Sequence, residues 1–172
     1  MIEYKGNLVL GIPKAGSQSL AAYIMGRQMP FTHKRYSEYN REFFNVYAMW
    51  RDPVERFKSC VRFERMLEQR RKEPQSSVSK LIDNIDKYLY FKPQALWLDE
   101  VPQNKLVLLP FSDFEYSANY IADSIGLKKL DTIPRIHETS GEIKLTDSEM
   151  DRVKEFYKED YKYEECLTMP NL

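Results

Sequence analysis

Cysteine is almost missing from this chain: the 172 residues hold two, Cys60 and Cys166. That is too few for a disulfide framework and suits a reducing compartment. Histidine is as scarce, at His33 and His137, and no compact spacing of His, Cys or carboxylates resembles a metal site. No excess of one charge exists, because 26 Lys plus Arg balance 26 Asp plus Glu. A global basic field of the kind that drives nonspecific binding to nucleic acid or to a membrane surface is therefore excluded, and any anion site has to be local. No apolar run approaches the roughly 20 residues needed to span a bilayer. Met1-Ile2-Glu3-Tyr4-Lys5-Gly6 leads straight into the first expected strand, so the expectation is a cytoplasmic protein with no membrane span. Repeats and low-complexity tracts are absent too. What remains, 42% hydrophobic and 13% aromatic residues, is enough for one domain over residues 1–172 with a real core.

The stretch that organises the rest is Leu8-Val9-Leu10-Gly11-Ile12-Pro13-Lys14-Ala15-Gly16-Ser17-Gln18-Ser19-Leu20. Leu8 to Ile12 is the short apolar run of a buried parallel strand, and Leu20, Ala21 and Ile24 recur at helical spacing until the pattern fades near Gly26. Between them, Gly16 lets the backbone turn without a Cβ penalty, and Ser17 is the expected N-cap. The first amides of such a helix, with the positive end of its dipole, favour phosphate or sulfate. Lys14 and the hydroxyls of Ser17 and Ser19 add a charge and further donors. An ordinary nucleoside-triphosphate loop, G-x-x-x-x-G-K-[ST], does not fit: Gly11 and Gly16 have the right separation, but Ser17 stands where the lysine should be.

A second strand-turn-helix unit follows. Phe44 to Trp50 reads as a strand and stops at Arg51-Asp52-Pro53, where Asp52 suits an N-cap, Pro53 suits N1, and Glu55 completes a capping box. Val54, Phe57, Cys60, Val61 and Met66 form the expected buried stripe of that helix. Arg51 at the strand end offers a planar fork to a phosphate, and Ser59, two turns into the helix, a hydroxyl.

Ile12-Pro13-Lys14-Ala15-Gly16-Ser17-Gln18-Ser19 resembles the 5′-phosphosulfate loop of sulfotransferases, P-K-[TSA]-[GA]-[ST]-x-S. Arg51-Asp52-Pro53-Val54-Glu55-Arg56-Phe57-Lys58-Ser59 resembles their R-[DN]-P-x-x-R-x-x-S element, and the two occur in the family's order. The resemblance is to the carbohydrate and membrane-associated type, reduced to a minimal length, and it implies an α/β single domain with a central parallel sheet flanked by helices, the P-loop-like sulfotransferase fold. It also implies a co-substrate, 3′-phosphoadenosine 5′-phosphosulfate (PAPS), and no required metal. Lys14, Ala15, Gly16, Ser17, Gln18 and Ser19 would then hold the 5′ end, with Lys14 reaching the oxygen that bridges phosphorus and sulfur. Arg51 and Ser59 would hold the 3′-phosphate, while Arg56 makes a structural ion pair or packs its stem. The implied reaction is transfer of a sulfuryl group to a hydroxyl or amine of a small-molecule or carbohydrate acceptor. A small P-loop kinase and a nucleotide-binding module without catalysis are the competing classes.

Met29 to His33 reads as a second strand, which places His33 at the C-terminal edge of the sheet, where ligands bind in open parallel sheets. His33 is accordingly the expected general base, with Glu38 as its nearest substitute. Glu68 to Ser77 reads as an exposed break, and Val78 to Ile85 as an amphipathic helix. Phe91 to Leu98 is similar to an x-x-P-Q-x-x-[WF]-L element of the same family, although the favoured reading is a helix started by Pro93 whose Leu96 and Trp97 pack in the core. Lys105 to Phe111 reads as a strand, with Ser112 and Glu115 capping the next helix. Arg135, Thr139 and Ser140 lie in a loop resembling the one that closes over the nucleotide. Thr146 and Glu149 box the last helix, and its Y-x-x-D-Y ending, Tyr157 to Tyr161, is assigned to packing.

Overall fold

Side chains alternate across four short strands, and that alternation decides where two of the three cores lie. The computed structural model describes residues 2–27, 33–136 and 139–168. Within them β1 (Ile2–Tyr4), β2 (Asn7–Leu10), β3 (Val46–Trp50) and β4 (Leu106–Pro110) form one sheet in that order. Strands β2, β3 and β4 run parallel, with Leu8 opposite Val46 and Val46 opposite Leu106. The expected all-parallel sheet needs one amendment, because β1 pairs antiparallel with β2 and the sheet is mixed. The cause is local: Lys5 (φ 47°) and Gly6 (φ 77°) both take the left-handed conformation of a tight hairpin turn, which a two-residue connection between twisted strands requires. Residues 28–32, most of the expected strand ending at His33, lie outside the described residues; His33 itself is in irregular structure.

Helix α1 (Ser17–Met25) and helix α5 (Phe114–Ile125) cover one face of the sheet, burying Leu20, Ala21, Ile24, Ile121 and Ile125 against Val9, Tyr47, Met49 and Leu109. The opposite face, with Leu8, Leu10, Ala48, Trp50 and Leu108, packs on Phe43 and on Trp97 and Leu98 of α4 (Ala95–Leu98). A third core lies beside the sheet, where α2 (Pro53–Arg71), α3 (Val78–Asp83) and α6 (Asp147–Phe156) bury Phe57, Val61, Leu81, Ile82 and Val153 together with Phe91 and Tyr157. After α7 (Lys158–Tyr161) the chain returns to β4, where Thr168 N–H donates to Leu108 O at 2.7 Å. This contact occupies part of a strand edge otherwise open to unwanted pairing. Among the described residues no helix is long and apolar enough to cross a membrane.

Several caps follow the sequence and several do not. Asp52 accepts from Glu55 N–H, and Thr146 and Glu149 form the reciprocal box. Glu55 does not complete a box, since its carboxylate is drawn to Lys58 at 2.8 Å. At α5 the cap is Asp113, which accepts from Tyr116 N–H, because Phe111 to Asp113 form a tight 3-10 turn that carries Ser112 away from the cap position. The expected break from Glu68 onward begins later: α2 runs on to Arg71, and Glu68 is buried, accepting from Ser76 N–H at 3.0 Å.

Candidate functional site

The C-terminal ends of β2, β3 and β4 open on one cleft of about 1150 Å³. Adjacent strands lie about 4.8 Å apart, so the loops that leave them are neighbours in space whatever their separation in sequence. Pro13, Lys14, Gly16, Ser17, Gln18 and Ser19 line the cleft from the first loop, Arg51 and Ser59 from the second unit, and Phe111, Ser112 and Phe114 from the third. Both sequence motifs therefore face the same space. They also touch, since Arg51 Nη1 donates to Lys14 O at 3.3 Å across 37 residues of chain.

The first loop is built by two left-handed residues. Lys14 has φ 62° and Gly16 φ 74°. Gly16, rather than Ser17, is the N-cap of α1, and no side chain caps that helix. Glycine is required at this point for two reasons. The positive φ favours it, and a Cβ would come within 2.4 Å of the Phe114 ring and 2.8 Å of the Phe111 ring. Ser17 becomes the first helical residue, and the first intrahelical bond is Leu20 N–H to Gly16 O at 3.0 Å. The amides of Ser17, Gln18 and Ser19 come before it and border the cleft uncapped, which is the arrangement an anion favours. Ala15 is buried in the core beneath the loop instead of lining the cleft. Ser19 Oγ accepts from Ile136 N–H at 3.0 Å, which ties the loop before α6 to α1.

The two motif cations are held by aromatic faces. Lys14 Nζ lies 4.4 Å from the Phe63 ring centre, and the Arg51 guanidinium 4.5 Å from that of Phe111. Such contacts fix a cation without neutralising it. Among the described residues neither has a carboxylate ion-pair partner. Burial pushes the Lys14 pKa below the usual lysine range, and repulsion from Arg51 and Arg62 adds to the fall. The Arg51 pKa is lowered by burial and then by Arg62. An incoming anion would relieve both strains, because it replaces lost hydration and separates like charges.

Arg56 behaves differently from Arg51, five residues before it. It is fully buried and donates to Pro13 O (3.1 Å), Tyr90 O (3.0 Å) and Lys92 O. Of the two structural roles expected of Arg56 the structure shows the packed one, over the Tyr157 ring, with backbone carbonyls in place of an ion pair pinning the first loop to the segment before α4. Gln94 has a matching role toward Arg51. Its Oε1 accepts from Arg51 N–H at 3.2 Å and its Nε2 donates to Arg51 O at 2.7 Å. Asp160 accepts in turn from the backbone N–H groups of Gln94 and Ala95, at 3.0 and 2.9 Å. Gln94, in the Phe91 to Leu98 element, and Asp160, in the ending assigned to packing, therefore hold the backbone of a site residue. Their pairing spans 66 residues, and no local signal announces it.

His33 lines the cleft, half-buried, with its Nδ1–H donating to Gly11 O at 2.7 Å. With Nδ1 donating, the neutral tautomer of His33 has its lone pair on Nε2. Burial lowers its pKa below the usual histidine range, partly offset by the Gly11 bond. Glu38 does not line the cleft; its carboxylate accepts from Arg35 N–H at 3.0 Å and closes a 3-10 turn. Arg135 and Thr139 line the cleft, Ser140 lies in a smaller adjoining hollow, and His137 and Glu138 between them lie outside the described residues. Sequence reasoning missed Arg62 and Phe63, and assigned Met66 to the buried stripe. All three line the cleft, at the i+3, i+4 and i+7 positions from Ser59 that share its helix face, a signal that was available.

Compared with known families, the chain matches no family model, and no curated protein matches its sequence.

Proposed function

We propose that this protein is a minimal PAPS-dependent sulfotransferase with a P-loop-like sulfotransferase fold, moving a sulfuryl group from PAPS to an acceptor hydroxyl or amine. The observation that carries the reading is the convergence of Lys14 and Arg51 on one cleft, each fixed on an aromatic face and neither paired with a carboxylate among the described residues. The volume, about 1150 Å³, exceeds the roughly 300–1,000 Å³ of ordinary ligand sites and leaves room for an acceptor beside a nucleotide.

In this reading the uncapped amides of α1, with Ser17 and Ser19, hold the 5′-phosphosulfate, and Arg51 and Ser59 hold the 3′-phosphate. Nε2 of His33 takes the proton as the acceptor oxygen bonds to sulfur. The bond from sulfur to the bridging oxygen breaks, and its electron pair leaves on the 5′-phosphate, where Lys14 stabilises the new charge. Alignment and charge stabilisation do most of the work, as in phosphoryl transfer. The test is incubation with radiolabelled PAPS and extracts from the source cells, followed by mass identification of any labelled product. Label transfer supports the reading. Nucleotide binding without transfer to any acceptor would favour a binding module instead, and magnesium-dependent transfer of phosphate would favour a kinase.

A further inference from the structure

The cleft has an arm that the nucleotide motifs do not use. Past Ser59, which is assigned to the 3′-phosphate, Arg62, Phe63, Met66, Leu67 and Arg70 line it from α2, at the spacing of a single helix face. Chemistry changes along that face. It begins polar, passes to Phe63 beneath Lys14 Nζ, continues through Met66 and Leu67, and ends on Arg70. Leu89 and Tyr90 also line the cleft. Leu89 is 55% exposed, one of the few large apolar side chains left open to water. The Tyr90 ring meets Phe63 edge-on at 5.2 Å, and its hydroxyl is already engaged, donating to the buried carboxylate of Glu64. The middle of the arm is therefore apolar.

Its far end is basic. Of the two arginines that finish α2, Arg71 is paired with Glu64 and Glu73, each at 2.8 Å. Arg70 lines the cleft and has no carboxylate partner among the described residues. Seven residues separate Phe63 from Arg70, a rise of roughly 10 Å along the helix.

We infer that this arm holds the acceptor and selects an amphipathic hydroxy acid: a hydroxyl at Lys14 and His33, an aryl or alkyl body along Phe63, Met66, Leu67 and Leu89, and a carboxylate at Arg70. The assignment of the hydroxyl as the reacting group rests on the sulfotransferase reading, whereas the binding preference rests on the arm alone. A carbohydrate would set several hydroxyls against Met66, Leu67 and Leu89, which offer no hydrogen bonds in return. In the transfer, the acceptor oxygen forms the new bond to sulfur, its proton passes to His33, and the donor's bridging oxygen leaves with the electron pair.

The test is calorimetric titration of the full chain with para-hydroxyphenylpropionate, its uncharged amide and glucose, with and without adenosine 3′,5′-bisphosphate. The acid should bind at least ten times more tightly than the amide, with glucose weakest. Arg70→Glu should remove the acid's advantage while leaving the amide and the nucleotide unaffected. Equal binding of acid and amide, a preference for glucose, or an acid affinity indifferent to Arg70→Glu overturns the inference. Radiolabel transfer from PAPS is scored separately. Acid binding with no transfer to any acceptor keeps the arm's assignment and defeats the sulfotransferase reading, while transfer to glucose in preference to the acid does the reverse.

Discussion

The two strand-to-helix junctions of this protein look alike in sequence and differ in what they leave open. At the β3–α2 junction Asp52 accepts from Glu55 N–H at 2.8 Å, so the helix end is satisfied by its own side chain. At the β2–α1 junction Gly16 supplies no side-chain cap, and Ser17, Gln18 and Ser19, which open α1, line the cleft. The first junction can receive an anion on backbone donors, whereas the second has to offer a side chain, Arg51, from the strand end. The same contrast separates the two arginines of the second motif. Arg56 is consumed by carbonyls inside the fold, and Arg51, its backbone held by Gln94, keeps its guanidinium at the cleft. A capped helix end spends its donor inside the fold; an uncapped one over a cleft leaves its donors for an anion.

Damage at the first junction should accordingly strike turnover, and damage at the second should strike recognition or stability. The largest effect is expected from His33→Ala, a loss of roughly 10²–10⁴-fold in turnover with nucleotide affinity intact in calorimetry. Because burial lowers the His33 pKa, the acid limb of the rate profile should fall below the ordinary histidine range: the base works above its pKa and is lost as protonation sets in beneath it. Near-normal turnover in that mutant would place the base elsewhere, with Glu38→Gln the next variant to measure.

Lys14→Ala comes next, with turnover down about 10²–10³-fold and a smaller loss of nucleotide affinity, since in the proposed transfer the charge it would meet develops mainly as the bond breaks. Unchanged turnover with weakened PAPS binding would make Lys14 a ground-state anchor and erase the distinction between the junctions. The sign of the pH effect follows from its lowered pKa. The cation is present below that pKa and lost above it, so anion affinity should decline with rising pH before the usual lysine range is reached.

Arg51→Ala should abolish the preference for PAPS over adenosine 5′-phosphosulfate, which lacks the 3′-phosphate, at a cost of about 1.5–3 kcal/mol in PAPS binding. Equal affinities for the two nucleotides in the unmodified protein would remove the 3′-phosphate assignment altogether. The smallest effect sharpens the comparison most. Asp52→Ala should lower stability by about 1 kcal/mol in chemical denaturation while leaving nucleotide affinity unchanged. A large loss of affinity there would mean that the second helix end also takes part in binding.

Much of the fold is legible locally. The apolar runs Leu8 to Ile12, Phe44 to Trp50 and Lys105 to Phe111 contain the strands that end at Leu10, Trp50 and Pro110, and Asp52 with Pro53 and Thr146 with Glu149 mark helix starts, whereas at α1 the cap is Gly16 and not the expected Ser17. The misses have local rivals as their cause. Lys5 and Gly6 make a hairpin where an uninterrupted lead-in was expected, and Asp113 takes the cap expected of Ser112. Met66 satisfies a buried stripe and a cleft face equally well on a helical wheel, and only its neighbours distinguish them.

The sequence by itself determined the two loops and the helices that follow them, because glycine's conformational freedom, proline's fixed φ, capping chemistry and apolar periodicity act over a few residues. Tertiary structure alone decided that the loops form one site. Parallel pairing of Leu8 with Val46 and Leu10 with Ala48 sets the strand ends side by side. The Arg51 to Lys14 bond, the Gln94 clasp on Arg51, the Asp160 anchor beneath it and the aromatic rings under both cations then close across long stretches of chain. None of those pairings has a periodicity to reveal it, since each depends on which surfaces the three cores bring into contact.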